Sequence, residues 1–158
     1  MEKKKIINRL MVLKRIVETE LKETVRVKIR FSEVDSMGVV WHGNYVHLFE
    51  DAREAFGIKY GIPYLDVYQN GYYTPIVSIS CEYKSPLKYG DEALVEIRYF
   101  DTPAAKIVFK YKIYNALTGV LAATGETVQV FLSVADNCLS IGNPAFFEKW
   151  KQKTVMPV

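Results

Sequence analysis

The feature that most constrains this chain is an alternation of apolar and polar residues that recurs in several separate runs. Between residues 105 and 115, Ile107, Phe109, Tyr111 and Ile113 alternate with lysines and one valine. A period of two places the apolar side chains on one face of a β-strand and leaves the other face wet. Runs over residues 24–31, 76–83, 93–99 and 121–133 predict four further strands, with Thr118-Gly119 as a hairpin turn before the last.

A single central helix is predicted between the first strand and the other four. Residues 44–57 carry one apolar stripe, formed by Tyr45, Leu48, Phe49, Ala52 and Phe56. Asn44 is expected to cap this helix and Gly57 to end it. This order favours an α+β fold in which a five-stranded antiparallel sheet wraps around the long central helix, because the stripe then packs on one sheet face. The other face is left to water or to a partner subunit.

Both ends of the chain predict additional helices. Residues 4–22 place apolar side chains at three- and four-residue steps, which is typical of an amphipathic helix. We interpret it as packing on its own domain or on a neighbouring subunit; a basic membrane-surface helix is the alternative, and its three glutamates weigh against that. Asn143-Pro144 predicts the start of a short C-terminal helix. The stretch that contains Pro63 and Pro75 is expected to be a loop.

Composition excludes several classes of protein. The 158 residues fit one unit, which we divide into an N-terminal helical extension (1–23) and a single domain (24–158). A net charge of +3 allows an anionic ligand but is too small to indicate nucleic-acid binding. No stretch is long and apolar enough to insert into a membrane, and Cys81 and Cys138 suggest neither a disulfide framework nor a zinc site. We expect a soluble protein of the reducing cytoplasm, without metal or cofactor.

The segment with the clearest chemistry runs from Arg30 to Tyr45, between the first strand and the central helix. It holds Asp35 close to the N-terminus of that helix, where free backbone N–H groups favour developing negative charge. A carboxylate that attacks a carbonyl or activates water, together with an N–H group that stabilises an oxyanion, supplies two parts of an acyl-transfer site. No cysteine or serine with a base partner competes with Asp35.

At these residues the sequence resembles the 4-hydroxybenzoyl-CoA thioesterase family of hotdog-fold proteins, and within it the acyl-CoA thioesterases associated with the bacterial Tol–Pal system. The matching positions are Phe31, Asp35, Gly38, Val39, Val40, Trp41, His42, Asn44 and Tyr45, followed by Glu50, Ala52 and Arg53. A second block matches at Thr74–Ser78, Tyr83–Leu87 and Gly90-Asp91. The resemblance covers about residues 24–135. Glu33 and Met37 depart from the family pattern, where an aspartate and a small residue are common.

The resemblance implies an acyl-CoA thioesterase that works as a homodimer or homotetramer. It implies that Asp35 is the nucleophile or general base and that the backbone N–H of His42 binds the thioester oxygen, with a further role for the His42 imidazole. It also implies substrate contacts, at Gly43, Tyr45, Glu50 and Lys84. Each residue has a plainer interpretation. Asp35 could cap a turn, Tyr45 could belong to the core, Glu50 and Arg53 could form a helix ion pair, and Lys84 could be solvated.

Three other functions stay open at this point. An acyl-carrier-protein thioesterase would use the same chemistry with a different thioester donor. A hotdog hydratase would need an Asp and His at another spacing, and the preceding segment of such enzymes is not found here. A non-catalytic module that binds acyl-CoA is the third, although such proteins normally need an output domain.

Overall fold

The computed structural model describes residues 3–6 and 15–156, and its main element is a five-stranded antiparallel sheet. The strands are β1 (Val17–Lys28), β3 (Ile76–Tyr83), β4 (Glu92–Asp101), β5 (Lys106–Asn115) and β6 (Leu121–Val130). Their order across the sheet is β1-β4-β5-β6-β3, which leaves β1 and β3 as the edges. Two short strands, β2 (Tyr72–Tyr73) and β7 (Leu132–Ser133), pair separately. The α+β prediction of a hotdog fold is confirmed.

The central helix (Tyr45–Tyr60) packs its apolar stripe on the concave face of the sheet. Phe49 stacks on Tyr111 with ring centroids 4.3 Å apart, and Phe56 meets Phe109 edge-on. A Cβ atom at Gly125 of β6 would lie 2.2 Å from the Phe49 ring, so only glycine allows the helix to approach the sheet this closely. This contact fixes the height of the helix above the strands.

The first strand is longer than the sequence pattern predicts, and it ends at Lys28 instead of residue 31, because Phe31 begins a short 3-10 turn. β1 begins at Val17 and pairs with β4 from Val17↔Asp101 to Lys28↔Glu92. The predicted helix over 4–22 is therefore wrong from Arg15 onward, because Arg15 and Ile16 are irregular and Val17 begins the strand. Lys3–Ile6 are helical, and residues 7–14 lie outside the described residues. Val17 and Leu21 fit a helical spacing. Thr19, Leu21 and Glu23, however, are half-buried in alternation with exposed residues, which is the pattern of a strand. Pairing with β4 stabilises the strand. The strand also crosses residue 23, where the N-terminal extension was predicted to end.

The segment after the central helix is more regular than predicted. The helix continues through Gly57 and ends at Tyr60, with Gly61 in the left-handed conformation at φ 76°. The predicted loop contains a short helix, Tyr64–Gln69, and β2. The prediction that Gly57 ends the helix is therefore wrong. A Cβ at this position would meet the Ile62 carbonyl oxygen at 3.0 Å, so the glycine allows the chain after the helix to pack closely against it.

The C-terminal helix (Ala145–Thr154) closes one end of the core. Phe147 and Trp150 are buried, and the Trp150 indole N–H donates to the Tyr60 carbonyl oxygen at 2.7 Å. The predicted C-terminal helix is confirmed, with Pro144 as its cap residue. Across the described ranges 3–6 and 15–156, no helix has the length and apolar character needed to cross a membrane.

Candidate active site

Asp35 opens a tight turn in the loop between β1 and the central helix. The Asp35 N–H donates to the Val39 carbonyl oxygen at 2.8 Å, and the Gly38 N–H donates to the Asp35 carbonyl oxygen at 3.0 Å. Asp35 Oδ1 accepts a hydrogen bond from the Met37 N–H at 2.8 Å. Gly38 completes the turn with φ 76°, a conformation that few other residues adopt without strain.

The turn-capping role that an aspartate commonly plays is therefore present, and it orients the carboxylate. One oxygen is held by the backbone of the turn, and the other finds no hydrogen-bond donor in the described part of the chain. The residue is half-buried rather than immersed in solvent. An oriented carboxylate with one uncommitted oxygen is suited to attack a carbonyl carbon or to accept a proton from water.

The loop is fastened to the start of the central helix through the carbonyl oxygen of Glu33. This oxygen accepts hydrogen bonds from the Trp41 N–H and from Asn44 Nδ2, both at 2.9 Å. Asn44 immediately precedes the helix, as predicted, but its side chain makes no capping hydrogen bond. The prediction of an N-cap function is wrong because the Asn44 amide is used to hold the Asp35 loop.

The second sequence block, within residues 74–91, contacts the same loop. The Val40 N–H donates to the Leu87 carbonyl oxygen at 2.8 Å, and Val39 bridges Lys88. The Tyr83 hydroxyl donates to the His42 carbonyl oxygen at 2.8 Å. Burial raises the pKa of Tyr83, which keeps the hydroxyl a neutral donor. These contacts join residues more than forty positions apart in sequence, and they make the two blocks one structural unit.

His42 begins the helical turn that leads into the central helix. Its backbone N–H donates to no other residue of the described structure, as expected for the first position of a helix. The imidazole is exposed, with its centroid 4.8 Å from the Trp41 ring. A Cβ at Gly43 would lie 2.1 Å from the Trp41 indole, so the indole occupies the space that only a glycine leaves free.

The other predicted site residues lie in three different surroundings. Tyr45 is 3% exposed; burial raises its pKa, and the nearby Leu87 backbone opposes that rise. Glu50 forms an ion pair with Arg53 on the central helix. Lys84 is exposed and pairs with Glu82 at 2.7 Å, and this ion pair lowers the pKa of Glu82. The structure therefore brings Asp35, His42 and Gly43 into one loop–helix unit and places Glu50 farther along the helix.

A cavity of about 800 Å³ borders the second half of the central helix. The short helix at residues 64–69 and strands β5 and β6 supply its other walls. Its apolar lining includes Phe56, Ile62, Val67, Ile107 and Phe109. Two polar atoms of lining residues, Arg53 Nη1 and Gln129 Oε1, are buried without a partner in the described structure. Sequence reasoning missed Gln129, because a glutamine in an alternating strand pattern gives no sign of an unmet hydrogen bond.

Comparison with known proteins identifies a family for this chain. The model of the thioesterase-like superfamily matches residues 29–157. A Bacillus subtilis (strain 168) protein with the name of an acyl-CoA thioesterase is 38% identical over 89 residues, which is 56% of this chain and 64% of that protein. A Prochlorococcus marinus protein named 1,4-dihydroxy-2-naphthoyl-CoA hydrolase is 28% identical over 78% of this chain and 84% of its own length. The match thus spans just under two thirds of the first relative.

Solved structures show the same architecture. The DHNA-CoA thioesterase of Staphylococcus aureus superposes with a TM-score of 0.76 at 28% identity, over 84% of this chain and 89% of that one. A 4-hydroxybenzoyl-CoA thioesterase variant bound to 4-hydroxybenzoyl-CoA gives a TM-score of 0.71 over 82% of this chain and 98% of that one. At 23% identity, this second likeness supports the fold alone.

Proposed function

The chain belongs to the thioesterase-like superfamily of hotdog-fold enzymes, and we propose that it hydrolyses acyl-CoA thioesters to a carboxylic acid and free CoA. The observation that carries the proposal is the Asp35 carboxylate, which has one oxygen held by the turn and the other uncommitted. The same loop is hydrogen-bonded to the helix start that presents the His42 N–H. The names of the relatives supply the substrate class.

In this mechanism the thioester carbonyl oxygen accepts a hydrogen bond from the His42 N–H, at the positive end of the helix dipole. Asp35 either attacks the carbonyl carbon or removes a proton from a water that attacks it. Direct attack forms a C–O bond as the C–S bond breaks, and water then hydrolyses the resulting anhydride. In both routes the sulfur leaves as CoA thiolate, which gains a proton, and one water is consumed.

The remaining site residues take supporting roles in the proposal. The backbone at Gly43 lies beside the oxyanion donor, and the exposed His42 imidazole can contact substrate or transfer a proton. Tyr45 supports the loop through packing. Lys84 can give up its ion pair with Glu82 and form one with a CoA phosphate. Glu50 contacts the substrate from the wall of the cavity beside the central helix. The presence of a histidine at position 42 of the sequence is the basis for placing this chain in the Tol–Pal-associated branch, which stays a prediction.

The second candidate function is hydrolysis of acyl-carrier-protein thioesters. One relative, a chloroplastic acyl-acyl carrier protein thioesterase of Arabidopsis thaliana, is 32% identical over 58% of this chain and 48% of that protein. We favour CoA because the relatives named for CoA substrates are matched over more of their length. A competition assay decides between the two donors. The same acyl group is offered on CoA and on carrier protein at equal concentrations, and the thiol that is released faster identifies the preferred donor.

We also propose that the active form is a homodimer joined along the edge strand β3. Within the described ranges, its outward edge has no strand neighbour in the sheet, and Val77 is 60% exposed and Ile79 43% exposed. An open apolar edge of this length invites pairing with a second copy. A homotetramer would further cover the outer face of the sheet. Light scattering tests this, because a particle mass near 18.1 kDa would contradict any oligomer.

The test of the proposed activity is a panel of short, long and aromatic acyl-CoAs with thiol release as the readout. Hydrolysis of at least one class supports the proposal, and absence of release from every class contradicts it. Tight acyl-CoA binding without release would favour the non-catalytic module. We place the reaction in the cytoplasm, since Cys81 and Cys138 are both free thiols.

A further inference from the structure

Residues 1–16 hold a disproportionate share of the positive charge of the chain. They contain six of its 21 basic residues and one of its 18 acidic residues. Residues 17–158 hold the other 15 basic and 17 acidic residues and are therefore net negative, although the whole chain carries +3. A charge that is distributed so unevenly along a sequence is typical of a segment that contacts an anionic partner.

The structure separates this basic segment from the acidic residues that follow it. Glu18, Glu20 and Glu23 lie on strand β1 of the sheet, and not on a helix that continues from residue 4. Glu18 forms an ion pair with Arg98 at 3.0 Å. Glu23 forms one with Lys59 at 3.5 Å. The three glutamates that weighed against a membrane-surface segment therefore belong to the sheet, and two of them are paired within it.

The described residues that precede β1 are basic and exposed. Lys3–Ile6 form a helical turn whose four side chains are all exposed, and Ile6 keeps 53% of its surface. Arg15 and Ile16 are exposed as well. These six residues combine four positive charges with two exposed aliphatic side chains and carry no negative charge. Residues 7–14 lie outside the described residues, and their sequence adds two basic residues and no acidic one.

The combination of charge and apolar surface distinguishes between anionic partners. The phosphates of a nucleic acid would attract the basic side chains, but they offer no apolar environment to the two isoleucines. An anionic lipid surface offers both, because its headgroups attract lysine and arginine and its acyl boundary accepts apolar side chains. A lipid surface is therefore the partner that fits all six described residues.

We propose that the basic residues Lys3–Lys5 and Arg15 bind anionic lipid headgroups while the two isoleucines enter the boundary beneath them. The domain is thereby attached reversibly to a membrane surface. The attachment is peripheral, since no helix within the described ranges 3–6 and 15–156 can cross a membrane. The inference does not depend on the proposed hydrolysis, because none of these residues belongs to the proposed active site.

Vesicle co-sedimentation of the full chain tests the proposal. Vesicles that contain phosphatidylcholine and phosphatidylglycerol in a ratio of about two to one should sediment the protein, and vesicles of phosphatidylcholine alone should not. The binding should weaken as the salt concentration rises, because salt screens exposed charges. Duplex DNA at the same concentration of phosphate should leave the protein on the vesicles.

Variants with matched controls identify the residues that bind. Replacement of all three residues of Lys3–Lys5 by glutamine should lower the partition coefficient by about 100-fold, since each basic residue near an anionic surface contributes separately. The control removes the same charge from three exposed lysines elsewhere, Lys112, Lys149 and Lys153. It should lower the coefficient by less than about threefold. Ile6→Ser should lower it by about three- to tenfold, whereas Ile141→Ser, at a fully exposed position, should not.

Three results would overturn the proposal. The first is sedimentation that is absent with both vesicle compositions or equal with both. The second is an equal loss of binding in the lysine variant and in its control, with melting transitions that show both to be folded. The third is release of the protein from the vesicles by duplex DNA, which would assign the lysines to a nucleic acid.

Discussion

The hydroxyl of Tyr83, on the edge strand β3, donates a hydrogen bond to the carbonyl oxygen of His42 at the first turn of the central helix, at 2.8 Å. This contact connects the sheet edge with the residue whose N–H we propose as the oxyanion donor. The Tyr83 ring also lies edge-on to the buried Tyr45, with centroids 5.1 Å apart. The orientation of the helix start is therefore set by β3 as well as by the loop that precedes it.

Tyr83→Phe should lower kcat by about three- to tenfold, since one intramolecular hydrogen bond contributes about 1 kcal/mol and here positions the His42 peptide. The melting temperature should change little, because the ring remains in place. Tyr89→Phe is the matched control: its ring is exposed, and its hydroxyl makes no hydrogen bond with the described residues. Steady-state kinetics on both variants check the prediction, and equal rates in Tyr83→Phe and the unmodified protein would contradict it.

Asp35→Asn should lower kcat by about 10²–10⁴-fold, the range expected when a positioned acid–base group is lost. An asparagine oxygen can still accept the hydrogen bond from the Met37 N–H, so the turn and the melting temperature should be preserved. Asp66→Asn, on the short helix at residues 64–69, serves as the control for loss of one carboxylate. Full activity of Asp35→Asn would rule out the assigned role.

Gly43→Ala should displace the Trp41 indole, because the added methyl group would lie 2.1 Å from the ring. Trp41 is 49% exposed and can rotate outward, so we expect a change in tryptophan fluorescence and a loss of activity of about tenfold or more, with a small stability cost. Gly142→Ala adds the same methyl group where no atom lies within 4 Å. Unaltered fluorescence and turnover in Gly43→Ala would show that the contact is unimportant.

Asp51→Asn should stabilise the protein near neutral pH. Partial desolvation raises the pKa of Asp51 above its usual 3.8, and repulsion from Glu33 and Glu54 adds to the rise. The folded state then binds more protons than the unfolded state between 3.8 and the raised pKa, so stability falls as the pH rises through that window. The gain from Asp51→Asn should be present above the window and vanish below it.

Asp136→Asn is the contrasting variant, because the pKa of Asp136 is shifted in the opposite direction. The Cys138 N–H donates to Asp136 and lowers its pKa, so this substitution should not stabilise the protein at neutral pH. Thermal melts of both variants across the acidic range check the pair of predictions. A gain for Asp51→Asn that persists at the lowest pH would contradict the electrostatic explanation.

Long, strongly periodic segments could be predicted from the sequence because one physical period dominates each. Strand β3 was predicted at the observed bounds, and β5 within one residue. The pattern predicts the start of β1 too late, because Val17 and Leu21 satisfy a helical period as well as an alternating one, and only the partner strand β4 distinguishes them. The helix Tyr64–Gln69 was missed because it spans six residues and buries only Val67.

The site was predictable in part for a similar reason. The positions of Asp35 and His42 beside a helix start follow from local order along the chain. Asn44 was assigned to the wrong hydrogen bond because its acceptor, the Glu33 carbonyl oxygen, lies eleven residues earlier. The unmet atoms of Arg53 and Gln129 arise from the packing of distant segments, and no local pattern encodes them.

The carbonyl oxygen of Glu33 accepts two hydrogen bonds, one from the Trp41 N–H and one from Asn44 Nδ2. The loop that carries Asp35 cannot swing away without breaking both contacts at the start of the central helix. The proposed site is therefore assembled before substrate binds. We expect rapid-mixing experiments to show association in a single exponential phase, with an observed rate that rises linearly with substrate concentration and reaches no plateau set by loop closure.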